Sequence, residues 1–219
     1  MSTLEVVDRW DDGISWTLAE EIGSMHRTSH AIETEEGVWL VDPVDAPGLD
    51  DELAELGDVA GVTLLLDRHK RDADAIAGRH DVRIALPTPL AGIADEFEAP
   101  VETFSESLSE TGFRPITVVN NRLWHEVALR NPGTGTLIVP EAVGTADFFT
   151  TDTERLSVHP ALRLFPPRKS LGNLSPDRIL VGHGPGLFDG ATAALRTALG
   201  NSRRSAPEYY TGLALSAIK

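Results

Sequence analysis

The 219-residue chain contains no cysteine, which excludes disulfides and thiolate metal sites. It has no apolar run near the ~18 residues that a membrane span needs. Lysine is scarce: Lys70, Lys169 and Lys219 are the only three among 19 basic residues, and 34 acids bring the net charge to -15. Such a charge repels a phosphate backbone, so nucleic acid is not an expected partner. This acid- and arginine-rich balance resembles proteins from salt-rich cytosols, and it fits equally a genome that favours arginine codons. The opening MSTLEVVDRWDDG lacks the basic start and apolar stretch of a secretory signal. A cytoplasmic location and no membrane partner are therefore expected. What is present is a 41% hydrophobic chain long enough for a sizeable core, read as a single domain over 1–219.

Periodicity marks strands at 30–32 and 38–41 around the turn Glu35-Glu36-Gly37, with Asp42-Pro43 ending the second. A helical pattern over 49–56, a buried strand at 62–66, a helix over 70–77 and a strand at 82–86 follow. That alternation implies a sheet covered by helices. Residues 116–119, 126–129 and 136–139 read as antiparallel strands, the last two joined by Asn131-Pro132-Gly133-Thr134-Gly135. The proline-containing stretch 150–174 reads as a surface insertion or short helices. A final strand at 179–181 leads into Gly182-His183-Gly184-Pro185, and a helix over 189–199 is expected to stop at Gly200.

Three places put polar side chains just after a strand. They are Asp67-Arg68-His69-Lys70-Arg71-Asp72, Pro140-Glu141-Ala142, and Gly182-His183-Gly184. Alone, each has an ordinary reading: a solvated charge run at a helix start, a surface acid after a proline, a histidine bonded to a loop. In order and surroundings, together with Gly133-Thr134-Gly135-Thr136-Leu137-Ile138-Val139, they resemble the metallo-β-lactamase superfamily. The resemblance implies an α/β (α+β) fold, the αββα four-layer sandwich, over most of the chain.

In that family His-x-His-x-Asp-His, a later histidine, a bridging aspartate and a last histidine hold one or two zinc ions that activate water. The resemblance aligns Arg68, Lys70 and Asp72 with the first motif, Arg122 with the later histidine, Glu141 with the aspartate and His183 with the last histidine. Guanidinium offers no lone pair, so Arg68 and Arg122 cannot be ligands, and Lys70 would first have to lose its proton. The expectation is therefore a degenerate metal site without metal or other cofactor. There Arg68, Lys70 and Arg122 replace the ions, Asp72 and Glu141 balance them, and a small anionic ligand or a protein partner binds without catalysis. The alternative is one zinc on Asp72, Glu141 and His183, serving a hydrolase of an ester, thioester or lactone. A register shift of one residue would bring His69 or His125 into the site. His26 and His30 read as surface or edge histidines, and His80 and His159 belong to no pattern.

Overall fold

The computed structural model describes residues 3–21, 25–151 and 153–216. A seven-stranded sheet runs in chain order, β1 (Leu4–Trp10), β2 (Gly13–Leu18), β3 (Ser29–Thr34), β4 (Gly37–Val41), β5 (Val59–Thr63), β6 (Ile84–Pro87) and β7 (Val101–Phe104). It is antiparallel through β4 and parallel from there on, because α1 (Leu49–Ala54), α2 (Ala73–His80) and the 3-10 segment Thr88–Glu96 carry the chain back between strands. A second sheet has the order β13-β10-β9-β8, from β8 (Arg114–Asn121), β9 (Trp124–Asn131), β10 (Thr136–Val139) and β13 (Arg178–Val181). A two-stranded ribbon, β11 (Val143–Gly144) with β12 (Ser157–Val158), lies between them in the chain. α3 (Arg168–Leu171) and α4 (Ala191–Ser216) complete the elements used below.

Three apolar clusters give the layers. Trp39, Val41, Leu65 and Ala85 of the first sheet region meet Leu129, Ile138 and Leu180 of the second, so the two sheets pack face to face. The other face of the first sheet, with Ile14, Trp16, Leu40 and Val62, receives Leu53 of α1 and Ile76 of α2. The outer face of the second, with Leu137, Val139, Ile179 and Val181, receives Leu171 of α3 and Leu195 and Leu199 of α4. Each of these side chains is almost wholly removed from water, worth roughly 1.5–3 kcal/mol per large aliphatic. The architecture is the expected αββα sandwich.

Several boundaries differ from the sequence reading. β1 and β2 were not anticipated, because Leu-Glu-Val-Val-Asp-Arg-Trp reads as a charged leader while only its neighbours supply the pairing. The strand expected at 62–66 is β5, ending at Thr63, and residues 64–66 continue as buried chain bridging to β9. The helix expected from 70 starts at Ala73, leaving 67–72 as a loop. α4 runs past Gly200 and contains Pro207. Gly200 is exposed and open around its Cα, so it costs the helix only about 1 kcal/mol. Buried Ala206, Tyr209 and Ser202, the last donating to Arg163 O at 2.7 Å, hold the second half down.

Candidate functional site

Parallel pairing sets the site. β10 and β13 are in register with Val139 opposite Val181, so Glu141 and His183, each two residues further on, emerge side by side. Gly182 permits this closeness: its backbone lies against Pro140, where a Cβ would run into the carbonyl oxygen. β4 and β5 are likewise parallel, and the chain leaving them supplies Asp42 and His69. Asp42 takes a left-handed conformation, φ 46°, and so does Arg71 at 44°, unusual backbone for residues with a Cβ. The turn at Asp42 aims its carboxylate back at the second crossing: Oδ1 accepts from Leu65 N at 2.9 Å and Oδ2 lies 3.1 Å from His69 Nδ1.

One ligand-capable atom each from His69, Glu141 and His183 lies within 4.8 Å of the other two, and all three residues are buried. His183, 1% exposed, has Nδ1 2.8 Å from Met25 O, so Nδ1 carries the proton and donates. Its Nε2 therefore keeps a lone pair, is buried, and has no hydrogen-bond partner. Burial pushes the His183 imidazole down to about 3 despite the Met25 carbonyl, so the ring is neutral at neutral pH. Burial also lowers His69, with the Arg71 charge adding to the effect, while Asp42 pulls the other way. Two neutral imidazoles, each with one nitrogen fixed by an acceptor, and one carboxylate form a donor set suited to a divalent ion.

The surroundings are charged. Arg68 Nη2 donates to Glu141 Oε2 at 2.7 Å, and its guanidinium lies 4.5 Å from the Trp124 ring centroid. Glu126, wholly buried on β9, accepts from Glu141 N at 3.0 Å and Ala142 N at 2.7 Å, and from Trp124 Nε1 at 2.8 Å. One carboxylate thus fixes both the backbone of Glu141 and the indole under Arg68. Burial raises Glu126 to about 7, opposed by those same hydrogen bonds. Burial also raises Glu141, with Arg68 pulling it back. Arg71 Nη1 donates to Asp42 O at 2.8 Å and to Ser29 Oγ at 3.1 Å. His159 Nε2 stands 3.6 Å from Glu141 Oε1.

Of the residues expected to share the site, Arg68, Glu141 and His183 come together, and three do not join them. Lys70 turns away to pair with Glu96. Arg122 stays exposed beside the β8–β9 turn, and Asp72 spends Oδ2 on Asp45 N at 2.8 Å at the start of α2. Asp72 therefore has Asp45 N as its hydrogen-bond donor rather than a cation from Arg68, Lys70 or Arg122. The register is shifted by one residue in this loop, and His69 faces inward where Lys70 was aligned. His125 remains outside the triad, its Nδ1 3.0 Å from Asp67 Oδ2. His30 is buried rather than superficial, 2.8 Å from Ser15 Oγ. Asp42, Glu126 and His159 were missed. Asp42 had a signal, as the last residue of a hairpin, but nothing in sequence links it to His69.

The fold is that of the metallo-β-lactamases. The chain is similar to the DIM-1 metallo-β-lactamase, at 13% identity over 93% of this chain and 98% of that one, with TM-score 0.65. It is similar to the FIM-1 metallo-β-lactamase from Pseudomonas aeruginosa in its mono-zinc form, at 10% identity over 93% and 96%, TM-score 0.58. A diflavin flavoprotein A 5 fragment from Nostoc sp. PCC 7120 is similar to the same extent, at 12% identity over 94% and 99%, TM-score 0.65. No protein-family model matches the sequence, and no curated protein does. Among the described residues no helix is long and apolar enough to cross a membrane.

Proposed function

We propose that the chain is a metallo-β-lactamase-fold hydrolase with a reduced site, holding one divalent metal ion on His69, Glu141 and His183 and cleaving an ester, thioester or lactone that carries a negative charge. The observation that carries this reading is that His183, whose Nε2 is buried and unpartnered, groups with His69 and Glu141 at ligand spacing. A zinc-type ion held there would supply an acidified water in its remaining open position. The chain's own groups prepare the site. Met25 O and Asp42 Oδ2 hold the imidazole protons on Nδ1, Glu126 fixes the turn that carries Glu141, and Arg68 restrains one carboxylate oxygen. Arg68, 42% exposed on its side chain, is also the cation an arriving anionic substrate would meet. Lys70 and Arg122 lie elsewhere, but Arg71 joins Arg68 there, so an ion held at the triad would meet two nearby cations rather than three.

A second reading, a metal-free protein binding a small anion or a protein partner, is supported by a different observation. Glu141 is already ion-paired with Arg68, and Arg71 packs on the Asp42 carbonyl, so cations stand at the site without any metal ion. Metal analysis separates the two. Protein purified without chelator and dialysed against zinc should hold about one equivalent, lost in His183→Ala, and its esterase activity should fall with the metal. A stoichiometry below about a tenth, unchanged in His183→Ala, would instead establish the metal-free reading.

A further inference from the structure

Away from the triad, residues 193–208 of α4 with Thr151 and residues 153–156 line a hollow of about 440 Å³, within the size range of small-molecule sites. Its floor is apolar: Leu156 and Ala198 are buried and Ala194 is half-buried. Its rim carries two guanidinium groups. Arg155 uses Nη2 on Asp189 O, and Arg204 makes no hydrogen bond or ion pair among the described residues. Glu154, also in the lining, is already engaged by the buried Arg163 and by Ser205. Glu208, on the rim, offsets part of the positive charge of the two arginines. Thr151 Oγ1 lies buried at the wall without a hydrogen-bond partner.

The wider charge distribution points the same way. Residues 151–208, the span that supplies the lining, hold eight Lys and Arg against five acids, in a chain whose net charge is -15. A locally basic segment in an acidic protein attracts anions while the remainder repels them.

We propose that this hollow binds an amphipathic monocarboxylate, its hydrocarbon body on Leu156, Ala194 and Ala198 and its carboxylate on Arg155 and Arg204. Two guanidinium groups set against the Glu208 carboxylate favour a monoanion over a doubly charged phosphate ester, and the small volume favours a small molecule over a peptide. None of the lining residues belongs to the triad, so the proposal stands or falls independently of the metal.

The test is calorimetric titration of the full chain with sodium octanoate, alongside 1-octanol as the uncharged control. Octanoate should bind one to one with a dissociation constant below about 1 mM, and octanol at least about tenfold more weakly. Arg204→Glu should weaken octanoate by about tenfold. Thr197→Trp, at an exposed helix position lining the hollow, should fill it and abolish binding while leaving the melting temperature near that of the parent. Should Thr197→Trp fail to fold, chemical-shift changes on octanoate addition must map to 154–156 and 194–204 in the parent chain. Equal binding of octanol and octanoate, no saturation up to about 5 mM, indifference to Arg204→Glu, or shifts elsewhere would each overturn the proposal.

Discussion

Glu154→Ala is expected to destabilise the protein far more than removal of a surface acid would. Its partner Arg163 is 0% exposed, and both terminal nitrogens of its guanidinium are bonded: Nη2 to Phe149 O at 2.5 Å and Glu154 Oε2 at 2.9 Å, Nη1 to Ser205 Oγ at 2.7 Å and Glu154 Oε1 at 3.3 Å. The cation also lies 4.3 Å from the Tyr209 ring centroid. Deleting Glu154 leaves that cation buried with only neutral acceptors, and breaking such a pair costs about 3–5 kcal/mol. For a chain of this length each kcal/mol moves the midpoint by roughly 2–4 °C, so a fall of about 6–20 °C is expected. The Glu154→Leu/Arg163→Met double variant should recover most of the loss, since no unpaired charge remains. Urea unfolding followed by tryptophan fluorescence measures both, with an unchanged m-value showing that the same surface is exposed on unfolding. A Glu154→Ala penalty below about 1 kcal/mol, the range of exposed pairs, would refute the account of the Arg163 cluster as a buried anchor for α4.

The same cluster makes stability pH-dependent. Burial pushes Glu154 up, but hydrogen bonds from Arg163, Ser205 and Thr151 N outweigh it and hold the carboxyl below its ordinary value of 4.5. A depressed folded-state value means that this contribution is complete above the unfolded value and is lost as pH falls through the folded one. Acid titration of the midpoint should therefore show a drop below about pH 4.5 that shrinks in the Glu154→Leu/Arg163→Met protein, and an identical drop in both would count against it. Gly182→Ala should cost about 1–3 kcal/mol, because its new methyl meets the Pro140 carbonyl, and should weaken zinc binding by displacing Glu141 from His183. Wild-type melting and wild-type zinc affinity in that variant would contradict the argument from close approach.

Much of the sandwich is legible in the sequence, since β3, β4, β10 and β13 are short apolar runs bounded by turns and their burial follows directly from composition. Glu141 and His183 are legible for the same reason, each following a run that could only be an inner strand. The sequence register of the His69 loop is off by one residue because it takes Asp72 as its fixed point, whereas in the folded chain Asp72 closes onto Asp45 N and Asp42 selects His69. Such choices depend on contacts across 27 residues, and no local pattern encodes them. The sequence pattern ends α4 early because Gly200 is a strong local stop, while the contacts that overrule it, Ser202 to Arg163 and Tyr209 to Phe148 O, are tertiary.

The two imidazoles of the triad are steered by unlike means. His69 takes its orientation from a side chain, Asp42, and one base change in the gene could remove that guide. His183 takes its orientation from the carbonyl of Met25, which every amino acid possesses, so no substitution at position 25 deletes the acceptor. That carbonyl is held in place by neighbouring bonds, His26 O receiving Gly184 N and Gly182 O receiving Thr28 N. One histidine is thus answerable to heredity at a single codon, the other to the posture of a loop. Sequence drift can reach the first directly, while the second can be retuned only by something that moves the segment 25–28.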